Sequence, residues 1–319
     1  MVYVVQGVIN FMLKYFNIKK LICFIISLIA LIIGLLVIVY AEENSIIGLS
    51  VFLTSLISIL IELCWNNLRK LLKKEKGWKS TLSNLLKERK INKEDYIRIS
   101  FAYLYRINVN GSFLLVKNGR NILKYQPVGG AYKCTPEEKA VLTGKKYGVV
   151  DDDFIGIDET SKDDYRMRVP AKNLKKFVRR FIKTKLRENI EDLSREFKEE
   201  LIVSKILPKK HFKQIEYKFC GRHYTDLRFS TYNECYELLI ADIVELMPTD
   251  KQKMVLVELQ KIVSDEYIWA TEKDILTCGV KKSTVNMSPN ITDHSFKILP
   301  VKEKELIEYK ERQYLVNIK

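Results

Sequence analysis

The chain has 319 residues, with 54 Lys and Arg against 39 Asp and Glu, and a net charge of +15. Its six cysteines are scattered without the spacing of a disulfide framework, which excludes a small disulfide-stapled domain and suits a reducing cytosol. The basic excess suits an anionic membrane leaflet and does not require nucleic acid as a partner.

Two long apolar runs near the start, residues 21–40 and 46–64, are separated by a short polar connector. About 20 helical residues span the roughly 30 Å of a hydrocarbon core, and a bilayer admits only backbones whose hydrogen bonds close internally. The runs therefore predict a transmembrane helical hairpin over residues 21–65. Two buried helices of a soluble protein, or a cleaved signal peptide, are the alternatives, and the length and pairing of the runs argue against both.

The charges around the hairpin predict its orientation. Basic side chains lie before the first run and after the second, whereas the connector carries only Glu42 and Glu43. The positive-inside rule then places both termini in the cytoplasm. Residues 1–20 have apolar side chains at helical spacing and predict an amphipathic approach to the membrane, and residues 66–95 predict a basic linker helix.

Alternation with a period of two begins after the linker. Every second residue from 97 to 109 is apolar, which predicts a long strand with one face buried. Asn-Gly pairs at 110–111 and 118–119 then predict tight turns into strands at 113–117 and 121–125. We therefore expect an antiparallel meander here.

Later segments complete one cytosolic α+β domain over residues 96–305, followed by a C-terminal tail at 306–319. Thr271 begins a helix N-cap pattern, and Gly279 is placed to end that helix. Further strands are predicted at residues 215–219, 235–247 and 267–270.

A helix is predicted over residues 186–202, where apolar residues recur at spacings of three and four. Glu196, Glu199 and Glu200 fall within an arc of about 100° on that helix, where they would repel one another. Hard oxygen ligands of this kind suit Mg²⁺ or Mn²⁺, so the three glutamates are predicted metal ligands. The alternative is a solvated acidic helix face.

The run from Arg195 to Ile202 (Arg-Glu-Phe-Lys-Glu-Glu-Leu-Ile) resembles the core of the Nudix box. The Pro-Val-Gly-Gly turn at 127–130 and the segment from Tyr267 to Ile275 resemble other parts of the same fold. The resemblance implies an α/β/α sandwich with a mixed sheet and a site for nucleoside-diphosphate-type ligands. It also implies that Glu196, Glu199 and Glu200 bind the metal.

The chain departs from the Nudix pattern in several places. Leu201 stands where the box has Gly, and six residues separate Glu188 from Arg195 instead of seven. An insertion over residues 131–187 is acidic in its first half and strongly basic in its second. Because hydrolysis needs the metal, the phosphate and a water placed within fractions of an ångström, this rebuilt loop favours binding over turnover.

The hairpin, the insertion and the runs 164–170 and 173–177 give a narrower resemblance to the SMODS-associated Nudix effectors of CBASS anti-phage systems. In such systems a nucleotidyltransferase makes a cyclic oligonucleotide, and the effector senses it and damages the inner membrane. An anionic ring needs guanidinium and ammonium partners. The predicted ligand-binding residues are Arg166, Arg168, Lys172, Arg222 and His223.

The leading hypothesis is therefore an inner-membrane effector whose cytosolic domain binds a cyclic oligonucleotide, self-associates into a homo-oligomer and disrupts the lipid bilayer. The rival hypothesis is a membrane-anchored Nudix hydrolase that cleaves a nucleoside-diphosphate-linked substrate with Mg²⁺, in which Glu199 would be the catalytic residue. A third hypothesis is a membrane scaffold whose degenerate Nudix fold binds only protein.

Overall fold

The computed structural model divides the chain into two compact units, residues 1–75 and 76–319. It describes residues 25–26, 28–29, 32–33, 53–54, 56–65, 77–119, 124–152, 161–231, 233–280, 290–300, 306 and 312–318. Residues 1–20 and most of both predicted spans lie outside these ranges, and the described residues between 25 and 65 are helical. Within the described part of the chain, no helix has both the length and the apolar composition needed to cross a bilayer.

Helix α1, Trp78–Lys87, opens the described part of the second unit. Its apolar positions recur at helical spacing, and Trp78, Leu82 and Leu85 are buried in the main hydrophobic cluster. This corrects the prediction of a linker over residues 66–95, because the part of it from residue 77 onward packs into the folded unit.

The described residues of the second unit form two sheets. In chain order their strands are β1 Tyr96–Arg106, β2 Asn108–Val109, β3 Ser112–Lys117, β4 Tyr125–Pro127, β5 Gly129–Ala131, β6 Val150–Asp151, β7 Arg166–Pro170, β8 Gln214–Tyr224, β9 Arg228–Ser230, β10 Cys235–Leu246, β11 Tyr267–Thr271 and β12 Arg312–Asn317. The larger sheet has the order β12-β8-β10-β1-β7-β6, with β5 also paired to β1 and β9 to β10. Since β1 and β10 run parallel and the other pairs antiparallel, the sheet is mixed.

Strand β1 lies at the centre of the larger sheet and is covered on both faces. Its odd-numbered residues from Ile97 to Tyr105 enter the main hydrophobic cluster, as the period-two pattern predicts. Leu104, on the other face, belongs to a second buried cluster, and Arg106 is buried as well. The prediction that only one face is buried is therefore wrong, because a strand inside a mixed sheet is packed from both sides.

The smaller antiparallel sheet has the order β11-β3-β2, with β4 paired to β3. Asn110 and Gly111 join β2 to β3 with φ angles of 51° and 79°, which is the left-handed backbone that a two-residue hairpin turn requires. The predicted meander is confirmed from β2 onward, but β1 ends at Arg106 and belongs to the other sheet. The third strand lies at 125–127 instead of 121–125, and residues 120–123 are outside the described ranges.

The predicted insertion at 131–187 and the predicted tail at 306–319 both contribute strands to the larger sheet. Strand β7 pairs with β1 and β6 pairs with β7, and helices α2 (Pro136–Thr143) and α3 (Leu174–Lys183) flank them. Strand β12 pairs with β8 from residue 312 to residue 317. The insertion is therefore built into the core, and the tail forms an edge strand of the sheet.

The remaining helices of the second unit lie between or after its strands. Helices α4 (Ser194–Phe197), α5 (Asp250–Gln260) and α6 (Glu272–Leu276) are α-helical, Lys198–Val203 is π-helical, and Asp293–Ile298 is a 3₁₀ helix. Thr271 caps α6 through a reciprocal box with Asp274, which confirms the predicted helix start. Gly279 follows the helix with φ of +79°, as expected at a helix end.

Candidate functional site

The glutamates of the Nudix-like run lie on α4 and the π-helical turn that follows it. The predicted helix over 186–202 is wrong in its first half, where Arg187 forms a β-bridge with Cys134 and the Glu188 amide donates to the Lys133 carbonyl (2.9 Å). These pairings with the segment before α2 hold the chain extended, so helical spacing alone was misleading. Leu201, which replaces the box glycine, is fully buried within the π-helical turn.

Arg195 organises the carboxylates. Its guanidinium lies 3.2 Å from Glu188, 2.6 Å from Glu196 and 3.5 Å from Glu199. The Tyr103 hydroxyl, from the odd-numbered face of β1, donates to Glu188 at 3.1 Å. Glu188, the acidic residue upstream of the box, therefore serves as a counter-charge of Arg195.

Glu200 holds the glycine strand β5 in place. Its carboxylate accepts a hydrogen bond from the Gly129 N–H at 2.8 Å and a longer one, at 3.4 Å, from the side-chain amide of Gln126. Burial, with the charge of Glu196 nearby, raises the pKa of Glu200 to about 8. A Cβ at residue 130 would overlap the end of the Glu196 side chain, so a larger residue there would have to displace the Glu196 carboxylate.

The three predicted metal ligands do not converge in this arrangement. Glu196 and Glu199 both contact Arg195, and Glu200 turns toward Gly129. Across the described part of the chain, no group of three His, Cys, Asp or Glu side chains is placed to hold a metal ion. As arranged among the described residues, the three carboxylates do not form a metal site, and a role for them as ligands of Mg²⁺ or Mn²⁺ stays a prediction.

A cavity of about 250 Å³ lies on the even-numbered face of β1, where Ser100, Ala102 and Leu104 form part of its wall. Gly129 and Gly130 line it as well, so β5 is shared between the cavity and the carboxylates. The remaining wall comes from β4, β7, β9, β10 and the 3₁₀ helix at 293–298.

Among the described residues of the cavity wall, Arg166, Arg228 and Lys297 are cationic and Asp293 is acidic. Lys297 is only 5 % exposed, and within the described residues it makes neither a hydrogen bond nor an ion pair. Burial and the nearby Arg228 charge lower the pKa of the Lys297 amine to about 8. Arg228 itself contacts Glu237 at 3.4 Å. The cavity therefore holds a buried amine without a direct ion pair among the described residues, and the carboxylates of Asp293 and Glu237 act on its charge only from beyond ion-pair distance.

Of the five predicted ligand-binding residues, Arg166 lies in the cavity wall. It is 3.4 Å from Asp164 and leaves part of its side chain accessible. Lys172 is on the 3₁₀ turn before α3 and pairs with Glu94 at 2.6 Å. Arg168, on β7, lies over the Tyr96 ring at 5.9 Å. Neither Lys172 nor Arg168 lines the cavity, and a ligand role for them stays a prediction.

Arg222 and His223 are buried within β8. The Arg222 guanidinium donates twice to the Asp242 carboxylate, at 2.6 and 2.9 Å, and Tyr132 donates to the same carboxylate at 2.7 Å. This network satisfies Arg222 inside the sheet and does not favour a direct role in ligand binding. That role was predicted because both residues end a short apolar run, but β8 continues through them.

Sequence reasoning missed Arg228 and Lys297. Lys297 had a detectable signal, since it is a single lysine inside the apolar stretch from Phe296 to Leu299. A lysine in such a stretch either reaches solvent at the surface or is buried, and a buried lysine normally needs an anionic partner from the protein or from a ligand. Arg228 had no signal, because it reaches the cavity only through the pairing of β9 with β10.

Comparison with known families matches residues 96–299 to a model described as the SMODS-associated NUDIX domain. Comparisons with curated proteins and with solved structures give no match. The matched range begins at β1 and ends just after the 3₁₀ helix, so it includes both the carboxylates and the cavity.

Proposed function

The chain belongs to the SMODS-associated NUDIX family, and on this premise we propose that its cavity binds an anionic cyclic oligonucleotide. Membership associates the protein with SMODS-type (CBASS) defence systems and links it functionally to a synthase of a nucleotide second messenger. A product of such a synthase carries phosphodiester groups, so its receptor needs cationic groups that are placed to meet them.

The observation that carries the proposal is the buried amine of Lys297 beside Arg228. This amine makes no hydrogen bond or ion pair among the described residues, and Asp293 and Glu237 act on it only from beyond ion-pair distance. A buried charge costs free energy unless an opposite charge or a hydrogen bond compensates it. A phosphodiester in the cavity would supply that compensation, and Arg166 in the cavity wall would meet a second one. The volume of about 250 Å³ is somewhat below that of typical ligand pockets, which are about 300–1,000 Å³.

Calorimetric titration of the full chain in detergent with cyclic di- and trinucleotides tests the proposal. We expect one ligand of the panel to bind and Lys297→Met to weaken it roughly 10- to 150-fold, the range for losing a charged hydrogen bond. The matched control is Lys253→Gln, an exposed lysine on α5, which should bind as the wild type does. Unchanged affinity of Lys297→Met, or no binding by any member of the panel, would contradict the cavity as the receptor site.

We further propose that the protein is an inner-membrane effector, with residues 21–65 as a hairpin and both termini in the cytoplasm. Support comes from the two apolar runs and the flanking basic residues. Ligand binding would favour self-association, which requires tighter binding to the oligomer than to the resting form. The assembled hairpins would then perturb the bilayer.

Reconstitution into dye-loaded vesicles tests the effector mechanism. Addition of the bound cyclic oligonucleotide should release dye, and Lys297→Met should need a proportionally higher ligand concentration. Alkaline carbonate should leave the protein in the membrane pellet. Release of the intact chain into the supernatant would contradict the hairpin, and ligand binding without leakage would contradict membrane disruption.

The rival activity is a Mg²⁺-dependent Nudix hydrolase, which the adjacency of Glu196 and Glu200 favours. A divalent cation would relieve the repulsion between these carboxylates, but Arg195 would have to release Glu196 first. Formation of the nucleoside monophosphate and the phosphorylated second product from nucleoside-diphosphate-linked substrates with Mg²⁺ or Mn²⁺ distinguishes the two functions. Metal-dependent turnover that Glu199→Gln abolishes would support the hydrolase, and we expect none.

A further inference from the structure

A strongly basic groove follows one side of α3, away from the cavity of Lys297. It has a volume of about 330 Å³ and is lined mainly by Lys146, Tyr147, Lys176, Arg179, Arg180 and Lys183. None of these residues lines the other cavity. Helix α3 contributes its cations without any acidic residue of its own, since its sequence is Leu-Lys-Lys-Phe-Val-Arg-Arg-Phe-Ile-Lys. We refer to these six residues as the α3 groove.

The cations of the α3 groove are held close together around one aromatic ring. Lys176 lies 4.8 Å from the centre of the Tyr147 ring, Lys146 lies 5.7 Å away and Arg180 lies 6.0 Å away. The Lys176 amine also donates to the Lys146 carbonyl at 2.6 Å. The ring and the carbonyl fix the positions of these charges before any partner arrives.

An acidic side chain beside the groove is already used. Glu138 of α2 is fully buried and accepts hydrogen bonds from Arg180, Tyr165 and Thr184. Its charge therefore balances Arg180 and anchors α3 to α2. Within the described residues no acidic side chain pairs with the other four cations, which are Lys146, Lys176, Arg179 and Lys183. An external anion would relieve their mutual repulsion.

Two partly exposed apolar side chains lie on α3 or just after it. Ile182 lies on α3 three positions after Arg179, and Leu186 follows the end of the helix, and each is 39 % exposed. Basic residues together with exposed apolar residues are typical of protein surfaces that rest on a lipid headgroup layer.

We propose that the α3 groove is a docking surface for anionic phospholipid headgroups at a bilayer surface. The open groove receives the phosphate groups, and Ile182 and Leu186 contact the region just below them. Docking would orient the domain against the membrane, and it requires neither occupancy of the Lys297 cavity nor the transmembrane hairpin.

Hydrogen–deuterium exchange measured by mass spectrometry tests the proposal on the full chain in uncharged detergent micelles. The micelles are doped with phosphatidylglycerol or, as the reference, with phosphatidylcholine. We expect peptides covering residues 145–147 and 174–186 to exchange roughly threefold more slowly with phosphatidylglycerol only. The triple variant Lys176→Gln, Arg179→Gln and Lys183→Gln should lose this protection, and added salt should weaken it in the wild type.

A matched triple variant at exposed lysines elsewhere, Lys213→Gln, Lys251→Gln and Lys253→Gln, should retain the protection. Unchanged exchange of the β1 and β10 peptides verifies that both variants are folded. Equal exchange in the two lipids, or protection that survives the α3 substitutions, would overturn the proposal. Protection by a single-stranded oligonucleotide in phosphatidylcholine micelles, without protection by phosphatidylglycerol, would overturn it as well.

Discussion

The two faces of strand β1 carry two sites whose charges are balanced in opposite ways. On the odd-numbered face, Tyr103 points to a cluster in which Arg195 has three carboxylate partners and Glu200 has a backbone amide. On the even-numbered face, Lys297 enters a cavity where the described residues give it no direct ion pair. The two glycines of β5 lie between the sites.

Under the proposed function, this contrast is how a Nudix-like fold would keep the carboxylates of a hydrolase and yet serve as a receptor. Charges that are balanced within the protein stabilise its structure and are not available to a ligand. A charge left unbalanced destabilises the protein until a ligand arrives, which is the condition expected at a receptor site. Substitutions on the two faces should therefore have opposite effects on stability.

Gly129→Ala should have the largest effect, because it acts on the boundary between the two sites. Gly129 has φ of +143°, and a Cβ there would overlap the backbone carbonyl oxygen of Tyr103. We expect the free energy of unfolding to fall by at least about 4 kcal/mol, measured by urea denaturation in detergent. Gly119→Ala, where a Cβ meets nothing within 4 Å, should change it by less than about 0.5 kcal/mol.

Arg195→Met should be the next most destabilising change. It leaves Glu188 and Glu196 without their counter-charge. Their side chains are only 11 % and 13 % exposed, so water can solvate the two carboxylates only poorly. We expect a loss of about 3 kcal/mol in the same denaturation assay. Lys198→Met, at an exposed neighbouring position, is the control. A loss equal to that of the control would mean that the carboxylates do not depend on Arg195.

Lys297→Met should act in the opposite direction. The folded-state pKa of Lys297 is about 8 against an ordinary value of 10.5, so between these pH values the unfolded chain binds a proton that the folded chain lacks. Wild-type stability should therefore gain up to about 1.4 kcal/mol per pH unit in that window, from this group alone. The variant should lack this gain and be more stable than the wild type below pH 8. A stability difference that is independent of pH would contradict a buried, unpaired amine.

Glu199→Gln should have the smallest effect. The Glu199 side chain is 55 % exposed, and its contact with Arg195 is 3.5 Å long. We expect the free energy of unfolding to change by less than about 0.5 kcal/mol, with unchanged affinity for the cyclic oligonucleotide. A large loss of affinity would place the carboxylate cluster in the ligand site and remove the contrast between the two faces.

Local patterns in the sequence predicted local structure well. The Asn110–Gly111 turn, the Thr271 cap and the alternation along β1 each depend on residues that are neighbours in the chain. The mixed sheet and the Nudix-like run were likewise recognisable, and the family match confirms the resemblance.

Features that depend on distant pairing could not be predicted in this way. Residues 186–193 have helical spacing, but their first part is held extended by pairing with Lys133 and Cys134. The Lys297 cavity joins segments nearly 200 residues apart, from Ser100 to Lys297. Arg166 was the predicted ligand residue that reached the cavity wall, because β7 pairs with β1 beside β5.

The parallel pairing of β1 with β10 affects how the chain is made. Arg98 lies opposite Glu237, 139 positions later, so the ribosome must synthesise most of the domain before the centre of the sheet can close. Such high contact order slows folding, and β1 keeps an open, largely apolar edge during translation. Nascent chains arrested before residue 235 should therefore require a chaperone to stay free of aggregates.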